Sequence, residues 1–132
     1  MIFQVLGNPQ GKARPRFNSQ TRRTYTPTKT KNYEADIAWA YKLGGGRLIH
    51  GAVEIKIWAY FTPRKSASKK LQLAMLRQAE PVKRKPDIDN IAKIVLDGLN
   101  GVAYIDDAQV VSVHAMKLYS ETPRLEIEIK NR

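Results

Sequence analysis

Apolar residues recur along this chain with two periods, and the switches between them mark its elements. Val53, Ile55, Ile57 and Ala59 alternate with Glu54, Lys56, Trp58 and Tyr60. That period of two predicts a strand with one face on a core. Trp58 and Tyr60 suggest that the other face is covered too, by a helix or a second subunit. Leu125, Ile127 and Ile129 alternate with Glu126, Glu128 and Lys130, which predicts a final strand with one wet face. Val110 to Leu118 is rich in β-branched residues and predicts another strand. Met1 to Leu6 is apolar enough for a buried strand at the start of the sheet.

Helical spacing fills the intervals. Thr26-Pro27 reads as an N-cap with proline in the first turn. Tyr33, Ile37, Trp39, Ala40 and Tyr41 supply the buried side of a helix ending at Leu43, and Gly44-Gly45-Gly46 stops it. Thr62 to Lys65 forms a turn. Ser66 or Ser68 then caps a helix to about Ala79 that buries Leu71, Ala74, Met75 and Gln78. A third helix runs from about Asp87 to Leu99, with Ile88, Ile91, Val95 and Leu99 as its stripe and Ala92 inside it. Asp87 suits its N-cap, and Asn100-Gly101 suits its stop. Gly7 to Tyr25, with Gly7, Pro9, Gly11 and Pro15, reads as a loop anchored by Phe17 and Tyr25.

These elements predict an α+β fold in one small domain over residues 1–132. The expected sheet is mixed and mostly antiparallel, with about three packed helices. The pattern leaves the strand order open. With no cysteine, nothing suggests a disulfide or zinc-thiolate site. No apolar run is long enough to span a membrane, and the N-terminus lacks a signal-peptide layout. The expected location is the cytoplasm of the cell or of an infected host.

Charge sharpens the picture. The formal net charge is +11, which points to an acidic partner, most often nucleic acid. The positive charge is clustered. Gly7 to Tyr25 carries Lys12, Arg14, Arg16, Arg22 and Arg23 and no acid. Lys83-Arg84-Lys85 stands immediately before Asp87. Lys12, Arg14, Arg16, Lys83, Arg84 and Lys85 are therefore candidate contacts to a DNA backbone; the plainer reading is solvated basic surface. Between Lys85 and Val110 the sign reverses. Asp87, Asp89, Asp97, Asp106 and Asp107 all fall there, out of 12 acidic residues in the chain. Carboxylates are hard oxygen ligands suited to Mg²⁺ or Mn²⁺. Two aspartates at the helix start and one or two in the loop suit convergence on one ion, with Lys93 a turn beyond Asp89 beside the reacting phosphate. The bland alternative is an N-cap and an ordinary Asp-Asp turn. His50 reads as structural or solvent-facing, and His114 as packing.

The run PDIDNIAKIVLDGLNGVAYIDDAQV resembles the signature of the RusA family, the phage-type Holliday junction resolvases. Asp87, Asp89, Asn90, Lys93, Asp97-Gly98 and Asp106-Asp107-Ala108-Gln109-Val110 carry the resemblance. Gly7 to Arg16 loosely resembles the family's opening Gly-x-Pro and basic residues. The resemblance implies a small Mg²⁺-dependent homodimeric endonuclease that nicks opposing strands of a four-way DNA junction in recombination and repair. It implies Asp87, Asp89 and Asp107 as metal-binding catalytic carboxylates, Lys93 as catalytic lysine and Asp106 as a supporting acid. Two other readings stay open: a metal-dependent nuclease for other branched or single-stranded DNA, and a non-catalytic basic DNA-binding module.

Overall fold

A computed structural model describes residues 1–13, 15–25 and 27–132. The central strand is β4 (Val53–Phe61), whose alternation buries Val53, Ile55, Ile57, Ala59 and Phe61. On one side it pairs antiparallel with β6 (Arg124–Asn131), and β6 pairs antiparallel with β1 (Ile2–Leu6). On the other side it pairs parallel with β5 (Val110–Tyr119). The order is β1-β6-β4-β5, so the sheet is mixed and mostly antiparallel, as the pattern predicts. β1 is an edge strand. It buries only Phe3 and Val5, and Ile2 and Leu6 are exposed.

Three helices accompany the sheet among the described residues: α1 (Thr28–Leu43), α2 (Lys69–Leu76) and α3 (Ile88–Leu99). Ile37 and Tyr41 of α1 and Ile91, Ile94, Val95 and Leu99 of α3 join the inward strand residues in one core. The helices cross where Gly98 meets α1. A Cβ there would lie 3.1 Å from the Glu34 carbonyl oxygen and 3.2 Å from Ile37 Cβ. This contact widens the buried stripe of α3 to include Ile94 and Gly98, while Ile88 stays exposed. Trp39 is exposed rather than buried, because it stands about 200° around the helix from Ile37 at 100° per residue.

Four further expectations are corrected. Pro27 itself occupies the N-cap of α1 with no side-chain cap bond; Thr26 lies outside the described residues. α2, capped by Ser68, ends at Leu76 rather than Ala79. Gln78 turns to φ +63° and brackets Tyr119 of β5, donating to its carbonyl at 2.7 Å and accepting from its N–H at 3.0 Å. The segment read as a loop contains a ribbon, β2 (Arg16–Asn18) paired with β3 (Arg23–Tyr25). All six of its residues are exposed, so Phe17 and Tyr25 anchor nothing in the core. Finally, among the described residues no helix covers the outer face of β4, which leaves a second subunit as the cover that its pattern allows. There Arg124 stacks on Tyr60 at 4.0 Å, and His114 is exposed rather than packed, lining a shallow hollow with Lys56, Trp58 and Met116.

Candidate active site

The acidic stretch spans α3 and the turn after it. α3 forms because apolar residues repeat at helical spacing with no proline inside it. Gly101, at φ +78°, turns the chain out of it. Tyr104 then folds back, its hydroxyl donating to the Leu96 carbonyl at 2.5 Å. A 3₁₀ turn over Asp107–Gln109 leads directly into β5.

Asp87 is the N-cap residue of α3, but its carboxylate does not cap. It pairs with Lys85 Nζ at 2.6 Å. That hydrogen bond, with the charges of Lys85 and Lys117, holds Asp87 below the usual carboxylate value. Lys117 Nζ donates to the Arg84 carbonyl. Arg84 Nη1 donates to the Thr62 carbonyl at 3.1 Å, and both cations lie over the Phe61 ring. Desolvation, opposed by Asp87, lowers the pKa of Lys117. The start of α3 is thus a cationic setting, at the end of β4 and β5.

Asp106 and Asp107 lie in the opposite setting. The Ala108 N–H donates to Asp106 at 3.2 Å; this and the neighbouring Asp107 carboxyl lower its pKa. Asp107 moves the other way, raised by its hydrogen bond to Asp106, by desolvation and by the charges of Asp106 and Asp97. Adjacent like charges favour a proton or a cation between the two carboxyls. Their oxygens fit a hard divalent ion.

The two pairs do not meet. Among the described residues no three His, Cys, Asp or Glu side chains gather closely enough to hold one ion. The reason is topological. Asp107 is beside Asp97, eight residues or about 12 Å along the helix axis from Asp89. Asp106-Asp107 precedes the start of β5, and Lys117 stands seven residues further along it, roughly 23 Å. Asp89, Lys93 and Asp97, at i, i+4 and i+8, form a strip joining the two ends, with Lys93 exposed between the acids.

The basic residues divide as well. Lys12 faces inward rather than toward a phosphate. Its Nζ is 2.5 Å from Glu34 and 3.1 Å from Asp97, with a side chain only 15% exposed. Burial lowers its pKa, but the bonds and charges of Glu34 and Asp97 outweigh this and raise it. The Lys12 N–H donates to the Asn90 carbonyl at 3.0 Å. Gly11 crosses so closely that a Cβ would stand 2.7 Å from Pro86 Cβ. The N-terminal segment is thereby laid along α3. Beside it, Arg16, Lys29 and Lys85 line a cleft of about 410 Å³. Arg64, Lys83 and Arg84 line a second cavity of about 270 Å³. Arg14 lies outside the described residues. Lys29, Arg64 and Lys117 escaped the sequence reading because each stands outside the two basic clusters, and only the fold brings it beside Lys83, Arg84 or Lys85. Gln109 was inside the motif, and only its hydrogen bonds distinguish it. Its Oε1 accepts from the N–H groups of Ile105 (2.9 Å) and Asp106 (3.3 Å), and its Nε2 donates to the carbonyls of Ile49 and Gly51, both at 2.9 Å.

Comparison with known proteins agrees with the signature. The chain is 35% identical over 134 residues to the uncharacterized protein YqaN of Bacillus subtilis (strain 168), covering 97% of this chain and 94% of the relative. Residues 7–130 match the family model described as endodeoxyribonuclease RusA, which takes in α3, its strip of acids and the Asp106-Asp107 turn, and the chain therefore belongs to the RusA endodeoxyribonuclease family.

Proposed function

We propose that this protein is a Mg²⁺-dependent endonuclease that resolves four-way DNA junctions by paired nicks, acting as a homodimer in recombination and repair. The family match across residues 7–130 carries this reading. Charge distribution supports it: cations flank a strip of carboxylates on a chain of net charge +11. A DNA backbone held by Arg16, Lys83, Arg84 and Lys85 would run past the aspartates. Most of the binding energy would come from phosphate neutralisation, so affinity should fall steeply with salt.

Asp87, Asp89, Asp106 and Asp107 are the residues proposed to hold Mg²⁺, with Mn²⁺ able to substitute. A bound ion would supply a water of lowered pKa and neutralise charge on the displaced phosphate. Mg²⁺ commonly takes one or two protein carboxylates, and the rest of its shell comes from phosphate and water. On this reading neither end needs a third carboxylate. Lys93, exposed on α3 between the acids, is the residue proposed to stabilise charge on the phosphate. Two active sites related by a two-fold axis suit two opposing strands of one junction.

The test is cleavage of a labelled four-way junction with and without Mg²⁺, by the protein and its Asp89→Asn variant. Symmetric nicks that need metal and vanish in the variant, while binding persists, are the expected result. Faster cutting of flaps or single strands would move the substrate assignment. Binding with no cutting under any divalent metal would end the enzyme reading.

A further inference from the structure

We propose that Gln109 is a positioning residue: its amide fixes the Asp106-Asp107 turn against the start of β4, and so sets where those two carboxylates stand. The inference rests on the proposed role of the turn in holding metal.

The argument starts from the sheet. Parallel pairing sets Val110 opposite Val53. It therefore brings the turn before β5 alongside Ile49 to Gly51, the segment before β4. That segment and the turn come from chain positions some 60 residues apart, and backbone pairing begins only at Val53. Gln109 bridges the remaining gap. Its oxygen accepts from Ile105 N–H and Asp106 N–H, and its nitrogen donates to Ile49 and Gly51 carbonyls. One amide thus uses two acceptor sites and both donors, its whole capacity.

Half of this is a cap. Asp106 accepts within the turn, and Gln109 returns a bond to the Asp106 backbone, which is the reciprocal pattern of a capping box. The other half is not explained by capping. A Glu would complete the same box, but it has no N–H to donate to Ile49 and Gly51. Only an amide joins the turn to the sheet. The Ile49 N–H also donates to Ala103 O at 2.7 Å, so the loop between α3 and β5 is tied to this segment at two points. Asp106 and Asp107 are themselves exposed, and packing does not place them. Their position is inherited from backbone that Gln109 holds.

The test uses full-length protein without DNA and Mn²⁺ alone as the probe, with binding read by calorimetry. Gln109→Met removes all four bonds at nearly constant size. Gln109→Glu keeps the cap and loses the tie to Ile49 and Gly51. Both are expected to bind Mn²⁺ at least about tenfold more weakly, the loss seen for residues that orient metal ligands. Amide exchange at Ile105 and Asp106 should quicken in Gln109→Met, while the β4–β6 ladder stays protected. The Glu variant is the sharper of the two and stands alone if the Met variant does not fold. Its extra negative charge should strengthen cation binding, so weaker binding can only reflect lost placement. Mn²⁺ affinity in the Glu variant equal to or tighter than that of the unchanged protein would overturn the positioning role. Failure of the unchanged protein to bind Mn²⁺ would overturn the metal reading beneath it.

Discussion

The two aspartate pairs at the ends of α3 have the same side chains and opposite surroundings. Asp87 has Lys85 and Lys117 as neighbours, and its carboxyl is held below the usual value. Asp107 has Asp106 and Asp97, and its carboxyl is raised. Asp87 is already supplied with cations by the protein. Among the described residues no cation pairs with Asp106 or Asp107, and Lys12, which reaches the neighbouring Asp97, is shared by Glu34 and Asp97. The difference shows that acidic residues of one motif need not be equivalent sites for an ion. Neighbouring charges from distant parts of the chain decide which pair is short of a counter-charge.

The strongest way to break this comparison is to neutralise one pair at a time. Asp87→Asn and Asp107→Asn should each cut junction cleavage by more than about a hundredfold, beyond the typical cost of losing a residue that only supports a ligand. Mn²⁺ binding should separate them, falling further in Asp107→Asn. Equal losses in calorimetry would mean that the two pairs close on one ion when it arrives.

Removing the shared cation comes next. Lys12→Gln leaves Glu34 and Asp97 without their partner, and should cost about 1–3 kcal/mol of stability, measured by chemical denaturation. Gly11→Ala acts on the same segment without touching charge. Its Cβ would press on Pro86, which suggests a cost of about 1–3 kcal/mol by overpacking. If the pairs are as independent as they stand, this variant should disturb the Asp87 end more than the Asp107 end, seen in amide chemical shifts.

The smallest effect is on pH, and its sign differs between the pairs. The ordinary value for both aspartates is 3.8. Asp87 is lowered, so its contribution to stability is present above 3.8 and lost as pH falls through its native value. Asp107 is raised, so the native state keeps a proton that the unfolded chain has lost. Stability therefore falls as pH rises from 3.8 through that raised value. Carboxyl carbon shifts followed through an acid titration should show the two moving apart. Asp106→Asn should bring Asp107 back toward 3.8 and leave Asp87 unchanged.

Much of this fold was legible because burial imposes periodicity. β4 and β6 alternate as read, since each has one face on the core. α3 starts and stops where Asp87 and Gly101 say it should. The legible part of the site was its residue types, a run of acids preceded by cations. Three features were not legible. The β2–β3 ribbon has no buried face, so it leaves no hydrophobic pattern. Lys12 looked like a DNA contact because sequence shows its basic neighbours and not Glu34, 22 residues away. The expected convergence of Asp87, Asp89 and Asp107 presumed that motif residues close in sequence are close in space.

By itself, the sequence determined the elements that bury a face, most of the core and the residue types of the site, because those follow from hydrophobic spacing and from the groups that side chains carry. Tertiary structure decided what each charge meets. Parallel pairing of β5 with β4 sends the Asp106-Asp107 turn to one end of the strand pair and leaves the start of α3 at the other. An electrostatic environment is a sum over neighbours in space, and here the deciding neighbours, Glu34, Ile49 and Lys117, come from α1, the segment before β4 and β5.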